Sequence, residues 1–362
     1  MDDRRSVQLG DGAGGELMQK MLSDVILPRI RGRQLEIGEE DLSADILDDS
    51  ASVEDWAFTI DGHTIWPLEF PGGDIGSLSV FGTVNDLAVV GAEPVALALS
   101  MVIEEGLDLH LLQRIVGSIG KASELSGVGV ITGDTKVVER GGVKGMIVTT
   151  SGMGKRHPDL DLCLEKAGDL RKEAGSPGMK SRWLRDDSPR PGDAIILTGS
   201  VGDHGISLLS FREGYGFETD LISDLAPLNG LIGSAIEAGG IVAAKDLTRG
   251  GLANGLNEWA RKSGFRIEVS EETIPVKKSV LSACDMLGLD PFEIGNEGKA
   301  IICTAPGIEE DILKVLRSHD IGRDSAIIGR VVEGRGDVIL ETEVGGRRIM
   351  DPPYGDPVPR IC

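Results

Sequence analysis

A chain of 362 residues is long enough for two domains with separate cores, and its 40% hydrophobic and 27% charged residues make an ordinary globular composition. A formal net charge of −22 with no Lys/Arg-rich run argues against a nucleic-acid partner, and four dispersed cysteines with no CxxC pair argue against a disulfide framework or a cysteine zinc site. No stretch approaches membrane-spanning length and no apolar signal region opens the chain, so a cytoplasmic protein with no membrane association is expected.

In chain order, strands and helices alternate in two blocks. In the first, "AFTIDGHTI" reads as a strand, "SLSVFGTVNDLAVVG" as a helix and "PVALALSMVI" as a second strand. A helix over "LHLLQRIVGSIGKASEL" leads to strands at "VGVITGDTKVV" and "GMIVTTSGMG". Residues 155–190 are polar, mixed in charge and broken by Gly and Pro, which predicts a linker or surface insertion with one short helix. The second block opens at the Pro-Gly turn of "RPGDAIILTGSVGDHG" and continues through helical "GGLANGLNEWARKSG", strand-like "KAIICTAPG" and helical "IEEDILKVLRSHD". It closes in a short β region, "SAIIGRVVEG" and "DVILETEVGGRRI". "TGDTK" and "KDLTR" place Asp, Thr and a cation after a strand once per block, a short echo between the halves.

The chemistry gathers in acidic and glycine-rich loops. "LDDSA" supplies Asp48 and Asp49, "TVNDLA" supplies Asn85 and Asp86, and "TGDTKVV" supplies Asp134 and Lys136. Carboxylates at strand ends and helix starts, without clustered His or Cys, suit a hard cation such as Mg²⁺ bridging nucleotide phosphates. Each Asp alone also fits a helix cap or turn. Glycine stretches at residues 10–15, 70–76 and 248–252, the last containing Gly250 and Gly251, offer backbone N–H groups to phosphate. No P-loop or Rossmann fingerprint is present. Of five scattered histidines, only His204 in "GSVGDHG" sits in a glycine-rich loop after a strand. Cys284 and Cys303 read as inert core thiols, and Cys163 as either core or surface. Cys362 ends a Pro-rich stretch, "DPPYGDPVPRIC", where a chance residue and a reactive thiol on an arm are both open.

The ending "PYGDPVPRIC" resembles that of the hydrogenase maturation factor HypE family, whose chains finish in Pro-Arg-Ile-Cys. The likeness extends through "FPGGDIG", "GTVNDLAVVGA", "IEEG", "TGDTKVV", "GDHG", "LTRGGL" and "GNEGK", in that order, leaving only about Lys155–Arg190 without a counterpart. Several of these motifs also occur in related ATP enzymes of purine, thiamine and selenium metabolism; the terminal PRIC does not.

The resemblance implies a two-domain fold of the aminoimidazole ribonucleotide synthetase type, α/β followed by α+β. Its domains would be an ATP-binding and dimerisation domain over 1–154, an insertion or linker over 155–190, an α+β domain over 191–347, and a flexible tail over 348–362. The N-terminal sheet would pair across a homodimer. The implied activity is ATP-dependent dehydration of a carbamoyl group on Cys362 to a thiocyanate, the cyanide source for the iron of [NiFe] hydrogenase. The implied partners are the carbamoyltransferase HypF and the HypC–HypD complex. The implied cofactor-binding set is Asp48, Asp49, Asp61, Asn85, Asp86, Gly133, Asp134, Thr135, Asp246, Gly250 and Gly251, with Mg²⁺ on Asp48, Asp49, Asp86 and Asp134. Catalysis would fall to Cys362, to Lys136 as charge stabiliser or proton shuttle, to Glu297 as general base, and to His204 as a hydrogen-bond partner of phosphate or tail.

Three positions depart from the family pattern. Asp11 stands where relatives often carry His, Ser50 follows the paired Asp where Gly is usual, and Lys245 replaces a common Arg. Other readings are a selenophosphate-synthetase-like enzyme, which generally wants a Cys near the N-terminal glycine loop, a purine- or thiamine-pathway enzyme, and a non-catalytic nucleotide-binding scaffold for maturation partners. The first Cys here is Cys163.

Overall fold

The computed structural model describes residues 6–12, 15–30, 37–43, 46–214, 221–355 and 358. In the N-terminal half, five strands form one sheet in the order Ala51–Val53, Trp56–His63, Met146–Arg156, Ala92–Glu104, Gly129–Val138. All neighbours are antiparallel except the last pair. That parallel pair needs a crossover, supplied by the helix Leu109–Ser126, which Asp108 caps through the His110 N–H and Gly127 ends in the left-handed region. Along Met146–Val148 and onward to Gly154, buried and half-buried residues alternate, so one sheet face rests on helices. The central helix Ile75–Val89 is buried nearly all round and starts at a capping box between Asp74 and Ser77.

In the C-terminal half, seven strands run in the order Arg347–Ile349, Val338–Glu341, Arg266–Ser270, Ala326–Val332, Ala194–Leu197, Ala300–Thr304, Ile241–Asp246. The three strands Ala194–Leu197, Ala300–Thr304 and Ile241–Asp246 are buried at every residue, because both faces are covered. Ile196 and Ile302 pack with the helices Asn229–Ala238 and Glu309–Arg317 on one face. Ile195, Leu197, Ile301 and Cys303 pack with Leu252, Leu256 and Trp259 of the helix Gly251–Ser263 on the other. The first cluster continues into Leu87, Val89 and Ala92 of the N-terminal half, so the two halves share one apolar core. Asn85 ties them further: its Nδ2 donates to the carbonyls of Ala226 (3.1 Å) and Glu297 (3.3 Å), and its Oδ1 accepts from the Leu228 N–H (2.7 Å).

The stretch expected as a polar surface linker is instead packed into this core. It forms the helix Leu160–Glu173, whose Leu160, Cys163, Leu164 and Ala167 are buried. Trp183 is fully buried and donates its indole N–H to Asp41 Oδ1 at 3.2 Å. Arg171 is buried in an ion pair with Asp193, with its Nε 3.0 Å from Oδ1. Cys163 is thereby a core thiol, as are Cys284 and Cys303. Burial raises all three, Cys284 to about 12.

The outer strand Gly129–Val138 is exposed along nearly its whole length, with Ile131 and Val137 about two-thirds exposed at 71% and 67%. No helix among the described residues is long and apolar enough to cross a membrane.

Candidate active site

A cleft of about 540 Å³ lies between the halves. Asp48 and Asp49 enter it from the loop before the first strand, Asp61 from the strand Trp56–His63, and Asp86 from the central helix. The C-terminal half contributes Asp246 at the end of its strand, Lys245 beside it, Glu297 from the loop before Ala300–Thr304, and Glu258 and Lys262 from the helix Gly251–Ser263. Of the residues named by the resemblance, Asp48, Asp49, Asp61, Asp86, Asp246, Gly251 and Glu297 line this one cleft.

Concentrating acids in a buried cleft makes each harder to ionise. Burial, with Asp186 beside it, raises Asp48 to about 8, against the pull of Lys262 and Lys245. Burial and then the neighbours Asp246, Asp61 and Asp49 hold Asp86 well above the usual range. Burial and Asp49 do the same to Asp246, and burial with Asp246, Asp61 and Asp224 to Glu297. Burial pulls Lys245 down, but Asp186, Asp49 and Glu258 outweigh it and keep the amine charged. Asp48 Oδ2, Asp246 Oδ2 and Glu297 Oε1 are buried without a hydrogen-bond partner among the described residues. Oxygen-only donors, unsatisfied and crowded with like charge, fit a divalent hard cation. Leu47, just before the acidic pair, sits at φ 54, a strained value for a side chain of this kind, and its carbonyl accepts from Lys262 Nζ at 2.7 Å.

Other expected residues lie elsewhere. Asp134 and Lys136 pair with each other at 2.8 Å on the exposed outer strand, both more than 60% exposed, and with Gly133 and Thr135 they stand away from this chain's own cleft. The Lys136 hydrogen bond holds Asp134 below its usual range. Gly133 is needed for packing, since a Cβ there would meet the Leu99 carbonyl at 2.5 Å. Asn85 is the clamp described above rather than a cleft residue. His204 is fully buried, with Nδ1 2.8 Å from Ser223 Oγ and its ring edge-on to Phe70. It sits beside the apolar cluster of Phe70, Ile206 and Val358. Gly250, expected to cradle phosphate, has φ 76 and seats Pro353, whose Cγ lies 2.9 Å from where a Cβ would project. The tail is also held where Asn257 Nδ2 donates to the Met350 carbonyl at 2.7 Å. Cys362 lies outside the described residues. The stretch 70–76 packs its Gly72 against Ser223 and caps a helix with Asp74.

Sequence reasoning missed Glu258, Lys262 and Asp186. Asn254, Glu258 and Lys262 recur at i, i+4, i+8, so one polar helix face was legible there; Asp186 carried no such signal. Ser50 keeps the turn, donating its hydroxyl to the Asp86 carbonyl at 3.0 Å. A second acidic cluster, His157 with Asp159 and Glu237, brings ligand atoms within 4.8 Å of one another. His157 Nδ1 already accepts the Asp159 N–H (3.2 Å), which puts the neutral ring's proton on Nε2 and leaves no free nitrogen for a metal.

The chain matches the AIR synthase related protein N-terminal domain over residues 47–155 and the C-terminal domain over residues 190–341. It is 45% identical to a hydrogenase expression/formation protein of Methanocaldococcus jannaschii, over 97% of this chain and 98% of the relative. It is 41% identical to the carbamoyl dehydratase HypE of Rhizobium leguminosarum, over 98% of this chain and 95% of the relative. Among solved structures, a HypE in complex with ATP superposes with a TM-score of 0.76 at 37% identity, covering 99% of this chain and 100% of that one. A HypE–HypF complex gives 0.80 at 35% identity, covering 94% and 100%. Identity at this level over nearly the full length of both chains, with both domain models matched, places the chain in the HypE carbamoyl dehydratase family of AIR synthase related proteins.

Proposed function

We propose that this chain removes water from a carbamoyl group carried on the sulfur of Cys362, at the expense of ATP, to give a thiocyanate that donates cyanide to the iron of [NiFe] hydrogenase. The observation that carries the reading is the cleft itself: acids from both halves, three of them with unsatisfied buried oxygens, facing two lysines. That arrangement suits a triphosphate with its metal. It is supported by the HypE relatives and by the ATP-bound HypE neighbour.

Amide oxygen leaves poorly, so the γ-phosphoryl group is transferred to it and departs as phosphate, while the nitrogen gives up both protons and becomes a nitrile. Glu297, buried and with a free Oε1 at the cleft, is the acceptor for a nitrogen proton. Burial and its acidic neighbours raise its affinity for a proton, which makes it the stronger acceptor once it is ionised. Asp48, Asp49, Asp86 and Asp246 would hold magnesium, which neutralises phosphate charge when bound. Lys245 and Lys262 line the same cleft and would face the phosphates of a bound nucleotide. His204, bound to Ser223 beside the Val358 cluster, shapes the seat of the tail rather than the nucleotide.

The exposed outer strand supports a homodimer formed edge to edge or face to face through Gly129–Val138, burying Ile131 and Val137. Such pairing is the route by which Asp134 and Lys136 would serve a cleft, that of the partner subunit. The division into a nucleotide-binding, dimerising half over 1–154, a joining segment over 155–190, a C-terminal half over 191–347 and a tail from 348 follows from the same reading. The partners are HypF as carbamoyl donor, in keeping with the HypE–HypF neighbour, and HypC–HypD as acceptor, in the cytoplasm.

The test is the intact mass of the peptide bearing Cys362 after incubation with HypF, carbamoyl phosphate and Mg-ATP, beside a Cys362→Ala control. A carbamoyl adduct that loses one water only as ATP is hydrolysed is the expected result. An unmodified peptide, with HypF shown active on another acceptor, would refute it.

A further inference from the structure

We infer that Asp186, carried into the molecule by the joining segment, is a positioning residue of the nucleotide cleft that tethers Lys245 and Lys262 so that Asp48 and Asp49 can exchange these lysines for a metal. The inference rests on the ATP reading above.

Asp186 is 2% exposed and stands behind the cleft wall, not on it. Its Oδ2 lies 2.6 Å from Lys262 Nζ and 3.1 Å from Lys245 Nζ. Its Oδ1 accepts the indole N–H of Trp259 at 2.7 Å, which fixes the carboxylate plane. Each lysine also reaches forward to one member of the acidic pair: Lys245 to Asp49 at 2.7 Å and Lys262 to Asp48 at 3.1 Å. Lys245 further touches Glu258 at 3.1 Å. Each ammonium group thus bridges an acid behind the cleft to an acid in it.

The charge arithmetic follows from those pairs. In the metal-binding state, with Asp48, Asp49, Asp186 and Glu258 all ionised against Lys245 and Lys262, the group carries −4 + 2 = −2, which one divalent cation balances. When Asp48 and Asp49 turn to a metal, the lysines keep Asp186 as partner and stay beside the phosphates instead of leaving. Without Asp186 the group drops to −1, and the lysines have only the cleft acids to pair with. They then compete with the metal, while the cleft becomes more attractive to a bare anion. Removing this one charge therefore acts in opposite directions on metal-bound and metal-free nucleotide, which loss of packing alone does not do.

The experiment is calorimetric titration of the full-length protein with Mg-ATP and, separately, with ATP in EDTA. Asp186→Asn keeps the shape and the indole acceptor. It is expected to weaken Mg-ATP several-fold, leave metal-free ATP equal or tighter, and so shift the ratio of the two dissociation constants about tenfold. Asp186→Glu restores the charge and should bring the ratio back toward wild type. Trp259→Phe frees the carboxylate without removing it and should shift the ratio the same way by about two- to threefold, which keeps the test open if the Asn variant does not fold. A ratio within twofold of wild type in Asp186→Asn and in Trp259→Phe, or equal weakening of both ligands by Asp186→Asn, overturns the role of Asp186. Failure of the wild type to bind either form overturns the ATP reading and this role with it.

Discussion

Arg171→Met tests whether the segment between the halves is structural. Arg171 and Asp193 are both at most 1% exposed, and Arg171 also donates to the Ser188 carbonyl at 2.9 Å, pinning the far end of the segment. Methionine fills similar volume but leaves Asp193 buried without its counter-ion. Removing one partner of such a pair costs about 3–5 kcal/mol. At about 2–4 °C per kcal/mol for a domain of 150–250 residues, the melting temperature should fall by about 6–20 °C. Burial already raises Asp193 even with Arg171 in place. In the variant its folded pKa lies higher still. An acid raised on folding gives stability that is present below its unfolded pKa and lost as pH rises through the folded one. The deficit should therefore shrink toward about pH 5 and widen toward pH 8, and Asp193→Asn added to Arg171→Met should recover more than half of it at neutral pH. Urea unfolding followed by far-UV circular dichroism reads both. A deficit under about 1 kcal/mol, or one that does not change with pH, would refute the reasoning.

Glu297→Gln should slow dehydration of carbamoylated protein by about 10²–10⁴ while ATP binding changes only a few-fold; a wild-type rate in single-turnover mass spectrometry would exclude Glu297 as the base. Metal binds ionised carboxylates, so with Asp48 near 8 and Asp86 and Asp246 raised, Mg-ATP affinity should still be climbing as pH rises through about 8. The nucleotide-free protein should do the opposite, losing thermal stability over the same rise as these buried acids ionise, and pH-independent melting would contradict the assignment. Ile131→Lys on the outer strand should give a monomer by light scattering and, if Lys136 serves the partner subunit, abolish turnover; a fully active monomer would separate the two ideas.

Period-two and helical patterning made most of the N-terminal elements legible, because "AFTIDGHTI" and "PVALALSMVI" alternate or run apolar against an uninterrupted central helix. The acids of the cleft were legible as residue types in glycine-bounded loops, but their meeting is a tertiary fact. Nothing local says that Glu297 and Asp61 share a wall while Asp134 faces outward. The joining segment was misread for a different reason. Its Lys, Arg, Asp and Glu dominate the composition, yet Leu160, Cys163, Leu164 and Ala167 keep helical spacing, and Arg171, Arg182 and Arg185 are polar residues that the fold neutralises with specific acids. Composition measures what water would accept, not what an ion pair allows to be buried.

The anchoring of Pro353 and Val358 sets two lengths of leash for the thiol. From Val358, buried in its apolar cluster, four residues remain to Cys362, a reach of at most about 14 Å. From Pro353, seated against Gly250, nine residues remain, a reach of at most about 32 Å. Which radius applies depends on whether one valine is seated. Withdrawing roughly 1.5–3 kcal/mol of buried side chain therefore widens the accessible sphere about twelvefold in volume. A single small hydrophobic latch thus sets how far from its anchor the thiol can travel.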